Sequence, residues 1–243
     1  MLPELPPTTS DMQIELAKER SRYAISTFTQ SWVLTFKEFF PLFGAWFVST
    51  FMPVVILVFS VLAGLGIDKL IFHTSFAGWW TLAGLLVPGF MLGWLYAGWI
   101  YVSLKVARRI PVKFGDFLRP VSQSMSAFFV LVITVILTSL GTACFVLPGA
   151  LLFMRLQLAP FYVVDQNMGP FAALKRSWQD TRMMFVPLGL LDLLFVGLNF
   201  LTSTVIFGPF LCNMGLTVAS ALVYSQWLTD ENHPDMPKLE GET

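Results

Sequence analysis

Arg155 and Asp192 are the residues from which any chemistry in this chain would have to start. Arg155 stands in the apolar run Phe145-Val-Leu-Pro-Gly-Ala-Leu-Leu-Phe-Met-Arg-Leu-Gln-Leu-Ala-Pro160. Asp192 stands in the run that begins at Phe185. They are the two charges inside what read as six membrane spans. A charge at that depth is expensive, so a partner or a polar cavity is implied. Arg155 lies about nine residues from the cytoplasmic end of its span and Asp192 about eight from that of the next. At about 1.5 Å per residue, both reach roughly 12–14 Å depth. The expectation is an intramembrane ion pair, Arg155 with Asp192, supplemented by Gln157 or Asn199. Its expected role is a structural clamp, because stranding either charge would be strongly destabilising. The alternatives are a polar cavity for a lipid headgroup, an anionic solute or a proton, and an Arg155 that snorkels toward phosphates.

Other reactive groups are sparse. His73 falls in an outer loop and His233 in the polar tail, with no nucleophile beside either. No carboxylate pair shares a helix face, and there is no His-x-x-x-His and no phosphate-binding glycine loop. Cys144 and Cys212 form no metal-ligand or redox motif, although both fall near the outer face, where a disulfide is geometrically conceivable. The expectation is a non-enzymatic protein with no metal and no cofactor. Thr134, Thr138, Ser139 and Thr142, then Thr202, Ser203 and Thr204, read as helix-packing hydroxyls. Gly89, Gly93 and Ala97 read as a small-residue packing row. Trp79, Trp80, Trp94 and Trp99 suit aromatic anchoring near the membrane interfaces.

The elements that carry these residues follow from composition. Hydrophobic residues make up 56% of the 243 and charged residues 12%, with a mean hydropathy of +0.70. A soluble domain carries about 25% charged residues, so this chain lacks the polar surface to cover itself in water. Zero net charge argues against nucleic acid as a partner. Residues 1–9 are expected to be disordered, with Pro3, Pro6 and Pro7 opposing regular structure and no cleavable signal peptide apparent. Residues 10–40 are expected to form an interfacial amphipathic helix, started by Ser10 with Gln13 as a capping box, and with Ile25, Phe28, Trp32, Phe36 and Phe39 on one face. Spans follow at about 41–66, 79–103, 126–147, 149–165, 184–206 and 209–229, and a polar acidic tail at 230–243. Val87-Pro88-Gly89 is expected to kink or break the second span.

About a dozen basic residues lie on one side of these spans and Lys69 alone on the other, which puts both termini in the cytoplasm. Residues 112–125 and 169–183 carry spaced apolar anchors among charges, and Pro170 suits a first helical turn. The expected architecture is therefore an all-α integral membrane protein: six transmembrane helices as three hairpins, each preceded by a cytoplasmic interfacial amphipathic helix. Trp32, Trp178, Phe171 and Leu174 are its interfacial anchors. Ser31-Trp32-x-x-Thr35-x-x-x-Phe39-x-Pro41-Leu42 matches Ser177-Trp178-x-x-Thr181-x-x-x-Phe185-x-Pro187-Leu188 without gaps, which predicts a parallel internal repeat.

The segment Leu147-Pro-Gly-Ala-Leu-Leu-Phe-Met-Arg155, with Ala159-Pro-Phe-Tyr-Val-Val-Asp165-Gln-Asn-Met-Gly169 and Ala173-Leu-Lys-Arg-Ser-Trp178, resembles the YciC-like bacterial inner-membrane proteins. It is similar also to the membrane domain attached to some glycerophosphodiester phosphodiesterases. The resemblance covers roughly residues 100–190, including Val112-Lys-Phe-Gly-Asp-Phe. It implies a multi-pass helical domain in a bacterial inner membrane and groups Arg155, Asp165 and Trp178 in one structural module. It transfers no activity. The expected function is a scaffold or accessory subunit in contact with membrane lipids, and with partner membrane proteins or a second copy. The alternative is a transporter or a lipid- or solute-binding protein with a polar cavity near Arg155 and Asp192.

Overall fold

A computed structural model describes residues 9–71, 77–182, 184–204 and 208–230, with the side chains of 9–14, 16–17, 53, 56–57, 59–89, 114 and 227–230 outside that description. The expectations for residues 1–8, His73 and 231–243 therefore lie outside the described residues, as do those for the side chains of Ser10, Gln13, Trp79 and Trp80. Among the described residues every regular element is helical: α1 (Thr9–Lys37), α2 (Phe39–Ile71), α3 (Ala77–Ala107), a 3-10 helix (Phe114–Leu118), α4 (Ser124–Cys144), α5 (Val146–Leu156), α6 (Ala159–Gln166), α7 (Pro170–Asp180), α8 (Phe185–Thr202) and α9 (Gly208–Asp230). Helices satisfy their backbone polar groups internally, as apolar surroundings demand.

Four described segments are long and apolar enough to cross a membrane: Phe90–Ala107, Ser124–Cys144, Val146–Gln166 and Phe185–Thr202. The segments expected at 41–66 and 209–229 are helical as well but are not among these four. α3 remains helical through Pro88 and does not break there. The expected fourth span, in contrast, is two helices. Pro160 lacks the N–H that would bond Leu156, and the path turns at Gln157–Leu158 between α5 and α6. The middle linking segment forms only the five-residue 3-10 helix, because Pro111 and Pro120 bracket it too closely for an amphipathic α-helix.

α2 packs on α3, α3 on α4 and α9, α4 on α5, and α8 on α9. Small residues allow the close approaches of α3 to α4 and of α4 to α5. A Cβ on Gly93 would lie 2.3 Å from the Ser124 carbonyl oxygen, and one on Gly149 would lie 2.0 Å from Thr142 Oγ1. α3 is the hub, touching α1, α2, α4, α6, α9 and the 3-10 helix, with Trp99, Ile100, Val102, Leu104 and Val106 buried. The linking segments follow one pattern. The 3-10 helix packs on α2 and α3, α7 packs on α4, α5 and α6, and α1 packs on α8 and α9, so the first linker closes onto the last helix pair.

α1 runs antiparallel to α9. Tyr23 Oη donates to Gln226 Oε1 at 2.6 Å, while Trp32 lies beside Gly215. Its packed face is made of Ala24, Thr27, Ser31 and Thr35, all buried, whereas Ile25 and Phe36 are exposed. The helix thus presents its small and hydroxyl residues to the bundle, and of the apolar stripe Phe28 and Trp32 pack against Phe195 of α8 while Ile25 and Phe36 stay exposed. Close approach of two backbones needs small side chains, and this decides the face.

The two matched segments adopt the same local geometry. Thr35 Oγ1 donates to the Ser31 carbonyl at 2.7 Å, and Thr181 Oγ1 to the Ser177 carbonyl at 2.7 Å. Ser31, Thr35, Ser177, Thr181, Leu42 and Leu188 are all buried. α1 stops at Lys37, one residue before α2, whereas α7 stops at Asp180 and α8 starts at Phe185; the carbonyls of Glu38 and Met184 each accept the N–H of the buried leucine four residues on.

Candidate functional site

The turn between α5 and α6 points Gln157 and Arg155 in different directions. Gln157 is buried and spans three helices: its Nε2 donates to Asp192 Oδ2 of α8 at 3.2 Å, and its Oε1 accepts from Ser220 Oγ of α9 at 3.5 Å. Asp192 Oδ1 is buried with no partner among the described residues. Gln157 and Asp192 therefore meet.

Arg155 does not join them, and the expected Arg155–Asp192 ion pair is absent among the described residues. Its guanidinium lies 5.4 Å from the Trp178 ring centroid and 5.5 Å from that of Phe185, and Nη1 makes a long 3.4 Å contact to the Trp178 carbonyl. The reason is angular. Residues two apart on a helix point roughly 200° apart, so a Gln157 aimed at α8 and α9 turns Arg155 toward α7. Arg155 also occupies the last turn of α5, where a cation complements the helix dipole. Its own carbonyl accepts from Ser177 Oγ at 2.7 Å and from Thr181 Oγ1 at 3.5 Å, tying α7 to the end of α5.

Asn199 is apart from this cluster. It lines a groove of about 360 Å³ between α8 and α9, together with Phe195, Ser203, Cys212 and Asn213. That cavity therefore opens one to two turns from Asp192, along α8, and Arg155 does not line it. Both cysteines are free, Cys144 exposed and Cys212 buried. Of the four anchors, Phe171 and Trp178 are exposed and Leu174 packs on the core. Trp32 is half-buried, stacked on Phe195 of α8 at 6.0 Å.

The stronger polar network joins the ends of α3, α6, α7 and α9, and the sequence reading missed it. Arg108 makes a bidentate pair with Asp165, both bonds at 2.7 Å, and Tyr224 Oη donates to the same carboxylate at 3.2 Å. Tyr162 donates to Asp180, which also accepts Arg176 Nε at 2.9 Å. The Tyr162 and Tyr224 rings meet edge-on at 4.9 Å, joining the two pairs. Beside them Lys105 Nζ binds Asp116 at 2.6 Å, and the Lys113 N–H binds it at 2.9 Å. The Lys105 hydrogen bond, followed by that from the Lys113 backbone, holds the Asp116 carboxyl below the usual range. Only the Arg176–Asp180 contact had a local signal, the i, i+4 spacing on one helix. The side-chain contacts of Lys105, Arg108, Tyr162 and Tyr224 join residues 11 to 59 positions apart. Asp165 reaches toward α3 while Trp178 covers Arg155, so the module that the resemblance groups has two separate contact centres.

Compared with known proteins, the chain matches no family model, no curated protein and no solved structure.

Proposed function

We propose that this chain is a six-span membrane protein of a bacterial inner membrane, built as three hairpins with a cytoplasmic linking segment before each and with both termini cytoplasmic. We further propose that it acts as a non-enzymatic scaffold or accessory subunit. One observation carries this reading: the carboxylates at the helix ends are engaged by the chain's own cations and hydroxyls, Asp165 by Arg108 and Tyr224, Asp180 by Arg176 and Tyr162, Asp116 by Lys105. Groups used in this way hold helices together. The faces of α4 and α8 are meanwhile left apolar and uncovered, with Leu140, Leu193, Val196 and Leu201 exposed, as suits lipid or a partner helix. The matching hydrogen bonds of the two Ser-Trp-x-x-Thr segments support the internal repeat, and the packing of α1 on the last helix pair fits a ring of three units. Membership of the YciC-like family is part of the same proposal and rests on the motifs around Arg155.

Extraction of the natively expressed, tagged chain in mild detergent, with cross-linking, tests the role. The expected result is a stoichiometric membrane partner or a second copy, cross-linked through α4 or α8 and released by Gly197→Trp on the exposed face of α8. The second reading, a transporter or a lipid- or solute-binding protein, is favoured by the unpartnered Asp192 oxygen and by the groove at Asn199. A lone monomer that retains a solute, and loses it on Asp192→Asn or Asn199→Leu, would replace the scaffold reading with this one.

A further inference from the structure

The outward face of α7 carries an alternating stripe. Phe171, Lys175 and Trp178 follow at intervals of four and three, the spacing of one helical face, and Arg182 stands two residues past the helix end. All four are exposed, Phe171 to 77% and Trp178 to 41%. The opposite face, with Ala173, Ser177, Asp180 and Thr181, is buried. The one acid of α7, Asp180, is on that inner face and is bound by Arg176 and Tyr162. The stripe is thus cationic and aromatic, with no carboxylate on it. Arg155 adds a third cation beneath the Trp178 ring.

The matched segment in α1 serves as an internal control. Its residues at the same register are Ile25, Thr29, Trp32 and Phe36, none of them charged. There the tryptophan is half-buried and stacked on Phe195, as packing requires. In α7 the tryptophan is not enclosed by protein, and cations replace the threonine and the phenylalanine. An exposed indole over the Arg155 guanidinium, with the exposed cations Lys175 and Arg182 on the same segment, calls for a ligand that is anionic at one end and apolar at the other. Aromatic rings favour the headgroup layer of a membrane. Each lysine or arginine near an anionic leaflet strengthens attachment about fivefold.

We infer that the α7 stripe is a binding site for the headgroup of an anionic phospholipid. Lys175, Arg182 and Arg155 take the phosphate, and Phe171 and Trp178 rest at the boundary between glycerol and acyl chain. The inference rests on the membrane reading proposed above, but not on the scaffold role.

The test uses the full chain in mild detergent, titrated with phosphatidylglycerol or phosphatidylcholine, with retained lipid counted by native mass spectrometry. Phosphatidylglycerol is expected to be retained in preference to phosphatidylcholine. Lys175→Gln and Arg182→Gln should each weaken phosphatidylglycerol retention about fivefold, and together about 25-fold. The charge-keeping Lys175→Arg should leave it unchanged, and so should the pair Arg20→Gln/Arg22→Gln on α1. Equal retention of the two lipids, or an equal loss from the α1 pair, would overturn the site. Displacement of phosphatidylglycerol by millimolar inorganic phosphate would show that the ligand is a soluble anion and overturn the lipid assignment. A chain that stays in the aqueous phase without detergent would instead sink the membrane reading itself, a distinct failure.

Discussion

Replacing Asp192 by leucine tests whether Arg155 and Asp192 work together or apart. Asp192 makes one hydrogen bond, 3.2 Å from Gln157 Nε2, and leaves Oδ1 unpartnered. An unpartnered buried polar atom costs about 1–3 kcal/mol. A polar contact inside a membrane bundle contributes about 0.6 kcal/mol on average and at most about 1.7. Removing the carboxyl therefore relieves about as much as it loses, with Gln157 Nε2 left stranded. Asp192→Leu is expected within about 1 kcal/mol of wild type, and Gln157→Leu/Asp192→Leu at or above wild type. Arg155→Leu removes contacts to two rings, each of about 0.5–2 kcal/mol, for a loss of about 1–3 kcal/mol. Unfolding of the purified chain in mild detergent by stepwise addition of SDS measures all of these, and double-mutant cycles separate the pairs. The expected coupling is about 0.5–1.5 kcal/mol between Gln157 and Asp192, and under about 0.5 between Arg155 and Asp192. A coupling of about 3 kcal/mol or more between Arg155 and Asp192, as for a broken buried pair, would refute the geometry.

Three further outcomes are expected. Because the Asp116 carboxyl titrates below its ordinary value, its pair with Lys105 adds stability above the usual carboxylate range, and that stability is lost as pH falls through the depressed value; melting temperature should drop on acidification, and Asp116→Asn should flatten that slope. A Cβ on Gly98 would lie 2.2 Å from the Phe117 carbonyl oxygen, so Gly98→Ala should cost about 1–3 kcal/mol or more, whereas Gly197→Ala, with open space around it, should gain up to about 1; denaturant midpoints compare the two. Arg109 ends α3 at φ 56°, with Ile110 N–H bonded to the Lys105 carbonyl and Arg109 N–H to that of Val106, a geometry that favours glycine. Arg109→Gly should raise stability by about 1 kcal/mol in the same unfolding assay, and no gain would mean that the guanidinium holds a compensating contact.

What could be read along the chain was whatever depends on neighbouring residues. The apolar runs located the helices at 126–147, 184–206 and 209–229 to within four residues at each end, and Pro170 marked the first turn of α7. The turn at Gln157 escaped the same reading because Pro160 lies inside a run whose hydropathy stays high on both sides. The linker before α4 escaped it because its anchors, Phe114 and Phe117, have helical spacing within a segment too short to use it.

The polar contacts divide on the same physical line. Depth along a helix axis follows from counting residues, and by that count Arg155 and Asp192 belonged together. Direction around the axis changes by about 100° per residue and is set only when neighbouring helices lock. The sequence by itself determined an all-helical, lipid-compatible chain, because apolar surroundings force backbone groups to pair locally. The tertiary structure alone decided that Gln157 meets Asp192, that Arg155 turns to Trp178, and that the bidentate ion pair belongs to Arg108 and Asp165. Each of those contacts depends on how far one helix is rotated against another, which residue counting leaves undefined.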